Sequence, residues 1–189
     1  MNRAFSLLAI AGLLIVFIQA LTAQDEHVAG KLFYGELFGP GVVTSVNFDS
    51  RFKFQERVGL GYRIGVGYGF EEFDDRIIEI LFKGVDIKDF HKGVTKTFYS
   101  IPVGLNYVFG KSNIASTFEV GAGITLLTSK VSLYYWEMEK PGHVIGFINF
   151  MYRLAPVQGG MSFRVGFTPV IGTAGDLFPM FSIGFGYAF

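Results

Sequence analysis

The sequence predicts an all-β fold: an antiparallel up-and-down transmembrane β-barrel of eight strands. From residue 58 to residue 71, apolar or aromatic residues occupy every even position and Gly, Arg or Glu every odd one. Such a strand has one apolar face and one small or charged face. It is also long enough to cross a bilayer, which takes roughly 9–11 residues, against about 5 or 6 for an ordinary strand. Half of all residues are hydrophobic, and alternate placement along barrel strands uses them without spanning helices.

The first residues predict a secretory signal. Asn2 and Arg3 precede an apolar run over residues 4–18, and small residues follow before the polar Gln24. We expect a signal peptide over residues 1–23, cleaved after Ala23 or, as an alternative, after Ala20. An uncleaved anchor helix is the other interpretation, although it needs about 20 apolar residues. The mature chain, residues 24–189, is then a single barrel domain.

Seven segments show the two-residue period clearly. They cover residues 42–52, 58–71, 99–109, 114–126, 148–154, 161–171 and 181–189. Because bacterial single-chain barrels have an even number of strands, an eighth is expected. Residues 29–38 supply it, followed by Gly39-Pro40-Gly41 as a tight extracellular turn. The facing of this first strand stays open, since Phe33 and Leu37 favour one side and Leu32, Tyr34 and Phe38 the other.

The direction of the strands follows from the termini, because bacterial barrels place both termini and their short turns on the periplasmic side. Counting back from the C-terminus places the compact connections 53–57, 110–113 and 155–159 on the periplasmic side. The long connections 72–96 and 129–142 then both fall outside the cell, where bacterial barrels carry their longer loops. The sequence therefore predicts an outer-membrane protein with two long extracellular loops and lipid around its wall.

The ending G-F-G-Y-A-F resembles the C-terminal sorting strand by which outer-membrane barrels are recognised for assembly. The resemblance implies that Phe185, Tyr187 and Phe189 form a sorting signal read by the barrel assembly machinery. The order GPGVVTSVNFDSRF, GLGYRIGVGY, IPVGLNYVFGK and FRVGFTP resembles the small eight-stranded barrels of the Bacteroidota outer membrane. In architecture alone the chain is also similar to OmpA-like and OmpX-like barrels. The resemblance implies a fold and a location, and little about activity.

The predicted lumen carries a polar network. Asn47, Arg63, Glu119 and Arg164 point inward at similar heights, and we expect both arginines to share Glu119, because an unpaired charge in a confined space is costly. This favours a structural plug in a lumen that eight strands leave just wide enough for side chains. A gated narrow channel is the alternative. The alternating glycines of the strands make room for Arg and Tyr side chains and form no phosphate-binding loop.

Composition and motifs favour no enzyme. The chain has no cysteine, and its formal net charge is zero, so no thiol chemistry and no nucleic-acid partner are expected. His27, His91 and His143 are the only histidines. No serine is placed near His91 by any pattern, and Ser116, near the periplasmic rim, cannot pair with His143, near the extracellular rim. Asp74, Asp75, Asp86 and Asp89 lack calcium-loop spacing, so no metal or cofactor is predicted. A lipid-modifying outer-membrane enzyme remains as an alternative.

The two long loops are the predicted sites of specific function. Ile77, Ile78, Leu81 and Phe82 recur at helical spacing, with a strand extension as the rival interpretation. Apolar residues in an extracellular loop either cover the barrel mouth or meet a surface or envelope partner. In the second loop, Tyr134, Tyr135 and Trp136 fit an aromatic belt at headgroup level or a recognition cluster. The predicted role is therefore structural or in surface interaction.

Overall fold

The protein folds into a closed antiparallel β-barrel in the computed structural model, which describes residues 28–53, 55–70, 97–129, 142–173 and 175–189. A short 3-10 turn, Gly39–Gly41, follows the first strand. The strands are β1 Lys31–Phe38, β2 Thr44–Arg51, β3 Gly59–Phe70, β4 Thr97–Phe109, β5 Ser116–Leu127, β6 Val144–Leu154, β7 Gly160–Phe167, β8 Val170–Ile171, β9 Leu177–Phe178 and β10 Phe181–Ala188. Across these ranges no helix is long and apolar enough to cross a membrane.

The barrel wall has eight continuous staves, where a stave means a long strand together with any short strand that continues it in line. Each long strand pairs antiparallel with its neighbour in sequence, and the β1–β10 pairing completes the circle. The short β8 continues β7 against β6 in unchanged register, since Phe150 faces Phe167 and Phe147 faces Val170. Strand β9 precedes β10 in the same way, with its own register against β8 continuous with that of β10 against β7. The prediction of an eight-stranded antiparallel barrel is confirmed.

The strands are strongly staggered around the barrel. A path that follows directly paired residues once around the barrel starts on β10 and returns to the same stave in β9. It arrives at a residue ten positions earlier in the chain, and this offset measures the stagger. It runs Tyr187, Phe33, Phe48, Ile64, Val103, Ile124, Gly146, Ile171 and Leu177. An eight-stranded barrel with a stagger of about eight residues tilts its strands by about 36°. A larger stagger requires a somewhat larger tilt, still close to the usual range of about 35–45°.

The two ends of the barrel differ in their connections. At one end, here named the terminal end, β1 begins and β10 ends. The compact connections that follow β2, β4 and β6 are at the same end. At the opposite end, the loop end, the chain joins β1 to β2, β3 to β4, β5 to β6 and β8 to β9. The predicted loops 72–96 and 129–142 both connect strands at the loop end. Most of their residues lie outside the described ranges, as do residues 1–23 and the loop residues Ile77, Ile78, Leu81, Phe82, Tyr134, Tyr135 and Trp136.

Side chains alternate strictly between the inside and the outside of the wall. Strand β4 alternates exposed and buried residues over its whole length. In β1, whose facing the sequence left open, Leu32, Tyr34 and Glu36 are buried inside, while Phe33 and Leu37 are 45% and 52% exposed. Phe33 and Leu37 therefore lie on the outer face, which the sequence alone did not decide. The buried Leu32 and Tyr34 fill the lumen instead.

Strand β6 begins four residues before the predicted segment 148–154. Its first residues, Val144 to Phe147, pair with the end of β5, and two of them, Gly146 and Phe147, also pair with β8 on the other side. Gly146 occupies an outward position there and has no side chain, which interrupts the apolar period. Alternating hydrophobicity therefore did not predict the first four residues of this strand.

Candidate functional site

The terminal half of the lumen holds a chain of five charged side chains with alternating sign. Arg164 Nη2 donates to Glu119 Oε1 at 2.8 Å, and Arg153 Nη1 donates to Glu119 Oε2 at 2.7 Å. The other Arg153 nitrogen, Nη2, lies 3.1 Å from Asp49 Oδ1, which also accepts from Arg51 Nη2 at 2.7 Å. Side-chain exposure in this charge chain is at most 8%. The five groups come from four strands, β2, β5, β6 and β7, and tie these strands together.

Two asparagines complete the bonding of the carboxylates. Asn149 Nδ2 donates to Glu119 Oε1 at 2.8 Å. Asn106 Nδ2 donates to Asp49, and its Oδ1 accepts from Arg51 at 2.7 Å. Hydrogen bonds to both oxygens of a buried carboxylate offset part of the cost of removing it from water. These two side chains therefore help to make the charge chain tolerable inside the barrel.

A separate ion pair lies beside the charge chain. Arg63 Nη2 donates to Glu36 Oε2 at 2.6 Å and to Asn47 Oδ1 at 3.2 Å. Tyr34 lies between this pair and the charge chain: its ring centroid is 5.6 Å from Arg63 Cζ and 4.2 Å from Arg164 Cζ. A guanidinium within about 6 Å of an aromatic ring is attracted to its face. Tyr34 thus links the two charged groups by packing.

The four predicted lumen residues are all buried inside the barrel, but one expected pairing is wrong. Arg164 binds Glu119 as predicted, whereas Arg63 binds Glu36. The reason is the unresolved facing of β1, which hid Glu36 as an inward carboxylate. Sequence reasoning also left Asp49, Arg51 and Arg153 out of the network, although their odd positions matched the inward side of their strands. The barrel's stagger brings them to the height of Glu119.

Glycines on the inner wall leave space for large side chains. A Cβ atom at Gly61 would meet the Arg51 guanidinium, and one at Gly69 would meet the Phe98 ring. At Gly186 it would meet Tyr34. Gly61 therefore makes room for an arginine as predicted, whereas Gly69 makes room for a phenylalanine. No helix begins at any of these described glycines.

The turn after β1 folds into the loop end of the lumen. Gly39, Pro40 and Gly41 are buried, so the predicted turn exists but does not project outward. Thr125 Oγ1 donates to the Pro40 carbonyl at 2.7 Å, and Ser100 Oγ donates to the Gly41 carbonyl at 2.9 Å. Hydroxyl groups from β4 and β5 thus satisfy carbonyls that would be costly to bury alone.

An apolar cluster surrounds this turn. Its buried members are Val42, Val43, Phe98, Leu127, Ile145, Phe147, Val170 and Met180. Val42 adopts a φ of 75°, which a β-branched residue rarely does and which costs roughly 1–3 kcal/mol. The surrounding contacts hold it there. Turn and cluster together occupy the loop end of the described lumen.

Arg57 reaches across the terminal end from the β2–β3 connection. Its guanidinium donates to the Ile114 carbonyl at 3.0 Å and to the Ala155 carbonyl at 2.5 Å, in the connections after β4 and β6. Burial lowers the pKa of Arg57 from its usual value, and the nearby positive charge of Arg153 adds to the effect. An arginine nevertheless stays protonated in proteins. One cation therefore ties three connections together.

The outer wall is apolar over a height that suits a bilayer. On β4, the outward residues from Tyr99 to Phe109 are all apolar or aromatic and 40% or more exposed. Ten residues of strand span about 33 Å, which is about 25 Å in height at a tilt near 40°, the height of an outer-membrane apolar band. The exposed side chains that such a wall presents would be unfavourable in water.

Aromatic side chains cluster at both edges of this band. Near the terminal end, ring centroids lie 4.6 Å apart for Tyr107 and Phe109 and 5.5 Å apart for Phe118 and Tyr152. Near the loop end, the Tyr68 and Tyr99 rings are 5.7 Å apart. Aromatic girdles at the two interfaces are typical of outer-membrane barrels.

The residues of the predicted sorting signal lie on β10 and just after it, in the stave that closes the barrel. Phe185 and Phe189 are 58% and 43% exposed on the outer face, near the terminal end. Tyr187 is half-buried and lies opposite Phe33 of β1. Their recognition by an assembly machinery stays a prediction.

The two described groups that a catalytic hypothesis would use lie at opposite ends of the barrel. Ser116 begins β5 at the terminal end, and its hydroxyl binds the Tyr152 hydroxyl at 2.8 Å. His143 precedes β6 at the loop end, and its Nδ1 lies 3.0 Å from the Leu127 carbonyl. These two side chains therefore cannot act together. His27, His91 and the four aspartates between residues 74 and 89 lie outside the described residues.

A closed antiparallel barrel with an apolar exterior and a polar interior has the architecture of outer-membrane β-barrel proteins. No family model matches the chain, and no curated protein sequence does. Among solved structures, it is similar to the N-terminal β-barrel domain of Pseudomonas aeruginosa OprF, with 10% sequence identity and a TM-score of 0.48. The match covers 84% of this chain and 95% of that one. At this identity the likeness concerns the fold alone.

Proposed function

We propose that this protein is an integral outer-membrane barrel, made with a signal peptide over residues 1–23, whose lumen is sealed. Its role is structural or in surface interaction through loops 72–96 and 129–142, and it has no catalytic activity. The resemblance of its strands to Bacteroidota barrels supports an origin in that group. The C-terminal residues Phe185, Tyr187 and Phe189 would direct its assembly into the membrane.

The observation that carries the proposal is the inversion of polarity across the wall. Arg63, Arg164 and Glu119 are at most 1% exposed inside the barrel, while Val66, Tyr99 and Phe118 are more than 60% exposed outside. A soluble protein places charges outside and apolar side chains inside. The reverse arrangement is stable only where lipid surrounds the wall.

Single cysteines test the location and direction of the barrel, because the natural chain has none. We expect a membrane-impermeant maleimide to label Thr173→Cys, at the loop end, on intact Gram-negative cells. It should label Lys111→Cys, at the terminal end, only after the outer membrane is made permeable. Both positions are exposed. The reverse pattern would contradict the direction, and labelling of both in the soluble fraction would contradict the membrane location.

Conductance tests the sealed lumen. The mature chain, residues 24–189, refolded into planar bilayers is expected to give no steady current, and the buried lumen side chains and the buried turn Gly39–Gly41 support this expectation. Two variants are compared with the wild type: Glu119→Gln, which changes the charge chain, and the exposed Glu56→Gln, which does not. The folded fraction of each variant is measured beside its conductance. Steady ohmic conductance that Glu119→Gln alters and Glu56→Gln does not would overturn the sealed barrel in favour of a narrow channel.

The loops carry the interaction part of the proposal. Ile77, Ile78, Leu81 and Phe82 give loop 72–96 an apolar surface, and Tyr134, Tyr135 and Trp136 do so for the other loop. Shortening residues 75–89 should leave the barrel folded and abolish binding to any surface or envelope partner. A barrel that unfolds on this change would instead favour a role of the loop in covering the mouth.

A further inference from the structure

The charge chain carries one more cation than it has anions. Arg51, Arg153 and Arg164 share two carboxylates, Asp49 and Glu119, through the contacts described above. The neighbouring Arg63–Glu36 pair is balanced and does not supply a third carboxylate. Removing an uncompensated ion from water costs several kcal/mol. The excess positive charge therefore needs a compensating group inside the lumen.

Arg164 lies at the end of the charge chain where a compensating anion is most needed. It is fully buried, and it uses only Nη2, toward Glu119. Its Nε and Nη1 groups have no hydrogen-bond partner. The opposite end differs, because Arg51 donates through both of its terminal nitrogens to Asp49, Asn106 and the Gly59 carbonyl. Buried guanidinium donors without partners are unfavourable.

The wall next to Arg164 provides further donors, and the Tyr34 side chain packs against the glycines of this wall. Ser162 and Arg164 lie on the inward face of β7, and Ser162 pairs with Gly186 of β10, which in turn pairs with Tyr34 of β1. The inward positions between them on β10 are glycines, Gly184 and Gly186. The Ser162 hydroxyl is buried and has no hydrogen-bond partner, and neither has the Tyr34 hydroxyl.

We propose that the lumen binds a small inorganic anion of the halide class at Arg164, beside Ser162 and Tyr34. Arg164 N–H groups and the Ser162 hydroxyl donate to it, and its charge neutralises the third guanidinium of the charge chain. The unpartnered acceptor Glu36 Oε1 belongs to the Arg63–Glu36 pair, and Glu36 lies opposite Gly184, which in turn pairs with Arg164. The site does not depend on which membrane holds the barrel or on what the loops bind.

Bromide is the probe, because it replaces chloride and scatters anomalously. The mature chain refolded in bromide and crystallised should show an anomalous peak within hydrogen-bond distance of Arg164. In urea unfolding at constant ionic strength, with gluconate as the replaced anion, the folding constant should rise about tenfold for each tenfold in bromide above its dissociation constant. Refolding in bromide lets the ion enter before the barrel closes.

Three variants make the result specific to the site. Arg164→Gln should fold without bromide dependence, because Arg51 and Arg153 then balance Asp49 and Glu119. Ser162→Ala should keep the dependence with weaker affinity, and the exposed Lys111→Gln should behave as wild type. Bromide only on the outer surface, or water at Arg164 together with halide-independent stability, would overturn the proposal. An equal bromide effect in Arg164→Gln would also overturn it.

Discussion

Replacing Glu119 with Gln is expected to lower the free energy of unfolding by roughly 3–5 kcal/mol, the cost of breaking a buried ion pair from one side. Glu119 accepts hydrogen bonds from Arg153, Arg164 and Asn149. The amide supplies one oxygen where the carboxylate had two, so an NH2 group then faces a donor. Two guanidiniums also lose their shared charge. Urea unfolding of the refolded barrel in detergent or liposomes measures the difference.

The control for this change is Glu56→Gln, because Glu56 is a carboxylate at the surface. Its side chain is 44% exposed and lies 3.3 Å from Lys53, which is 78% exposed. Exposed ion pairs contribute about 0–1 kcal/mol. A typical protein has only about 5–15 kcal/mol of stability, so the two variants should separate clearly. Equal stability of the two variants would mean that the buried charge chain contributes nothing to holding the barrel closed.

The fold could be predicted because a barrel wall imposes its period on every strand. The alternation in β3 and β4 is complete, and the even strand number then indicated a strand where β1 lies. The facing of β1 could not be predicted, because large apolar residues lie on both of its faces, Phe33 and Leu37 outside and Leu32 and Tyr34 inside. The alternation failed where an outward glycine, Gly146, left no side chain to count. Alternating hydrophobicity therefore predicts a strand of the wall only where outward positions carry apolar side chains.

The interior could be predicted only in part because it depends on the stagger between strands. Inward direction follows from parity, so Arg63, Glu119 and Arg164 were placed correctly. The position of a side chain along the barrel axis does not follow from parity. It depends on the register between neighbouring strands, which only the structure shows. The burial of Gly39–Gly41 was hidden for the same reason. It depends on the hydroxyls of Ser100 and Thr125, which distant parts of the chain bring to the mouth.

A double-mutant cycle on Arg63 and Glu36 should give a coupling free energy of several kcal/mol. Arg63→Met alone leaves Glu36 buried without its cation, and Glu36→Gln alone leaves Arg63 buried without its anion, with only neutral oxygens as acceptors. Each single change should therefore cost roughly 3–5 kcal/mol. Methionine keeps the apolar packing against Tyr34 and Phe147, which lie 5.6 and 5.8 Å from Arg63 Cζ. The double variant should cost much less than the sum, because no unpaired charge remains.

The same cycle distinguishes the two possible partners of Arg63. If Arg63 instead depended on Glu119, as its inward position in the sequence first indicated, then Arg63→Met would couple to Glu119→Gln and be additive with Glu36→Gln. The exposed pair Lys53→Met and Glu56→Gln provides the reference cycle, with an expected coupling below about 1 kcal/mol. A strong coupling to Glu36 and a weak one to Glu119 would establish that β1 supplies its own carboxylate to the lumen. The strand that completes the barrel would then also be held there by charge.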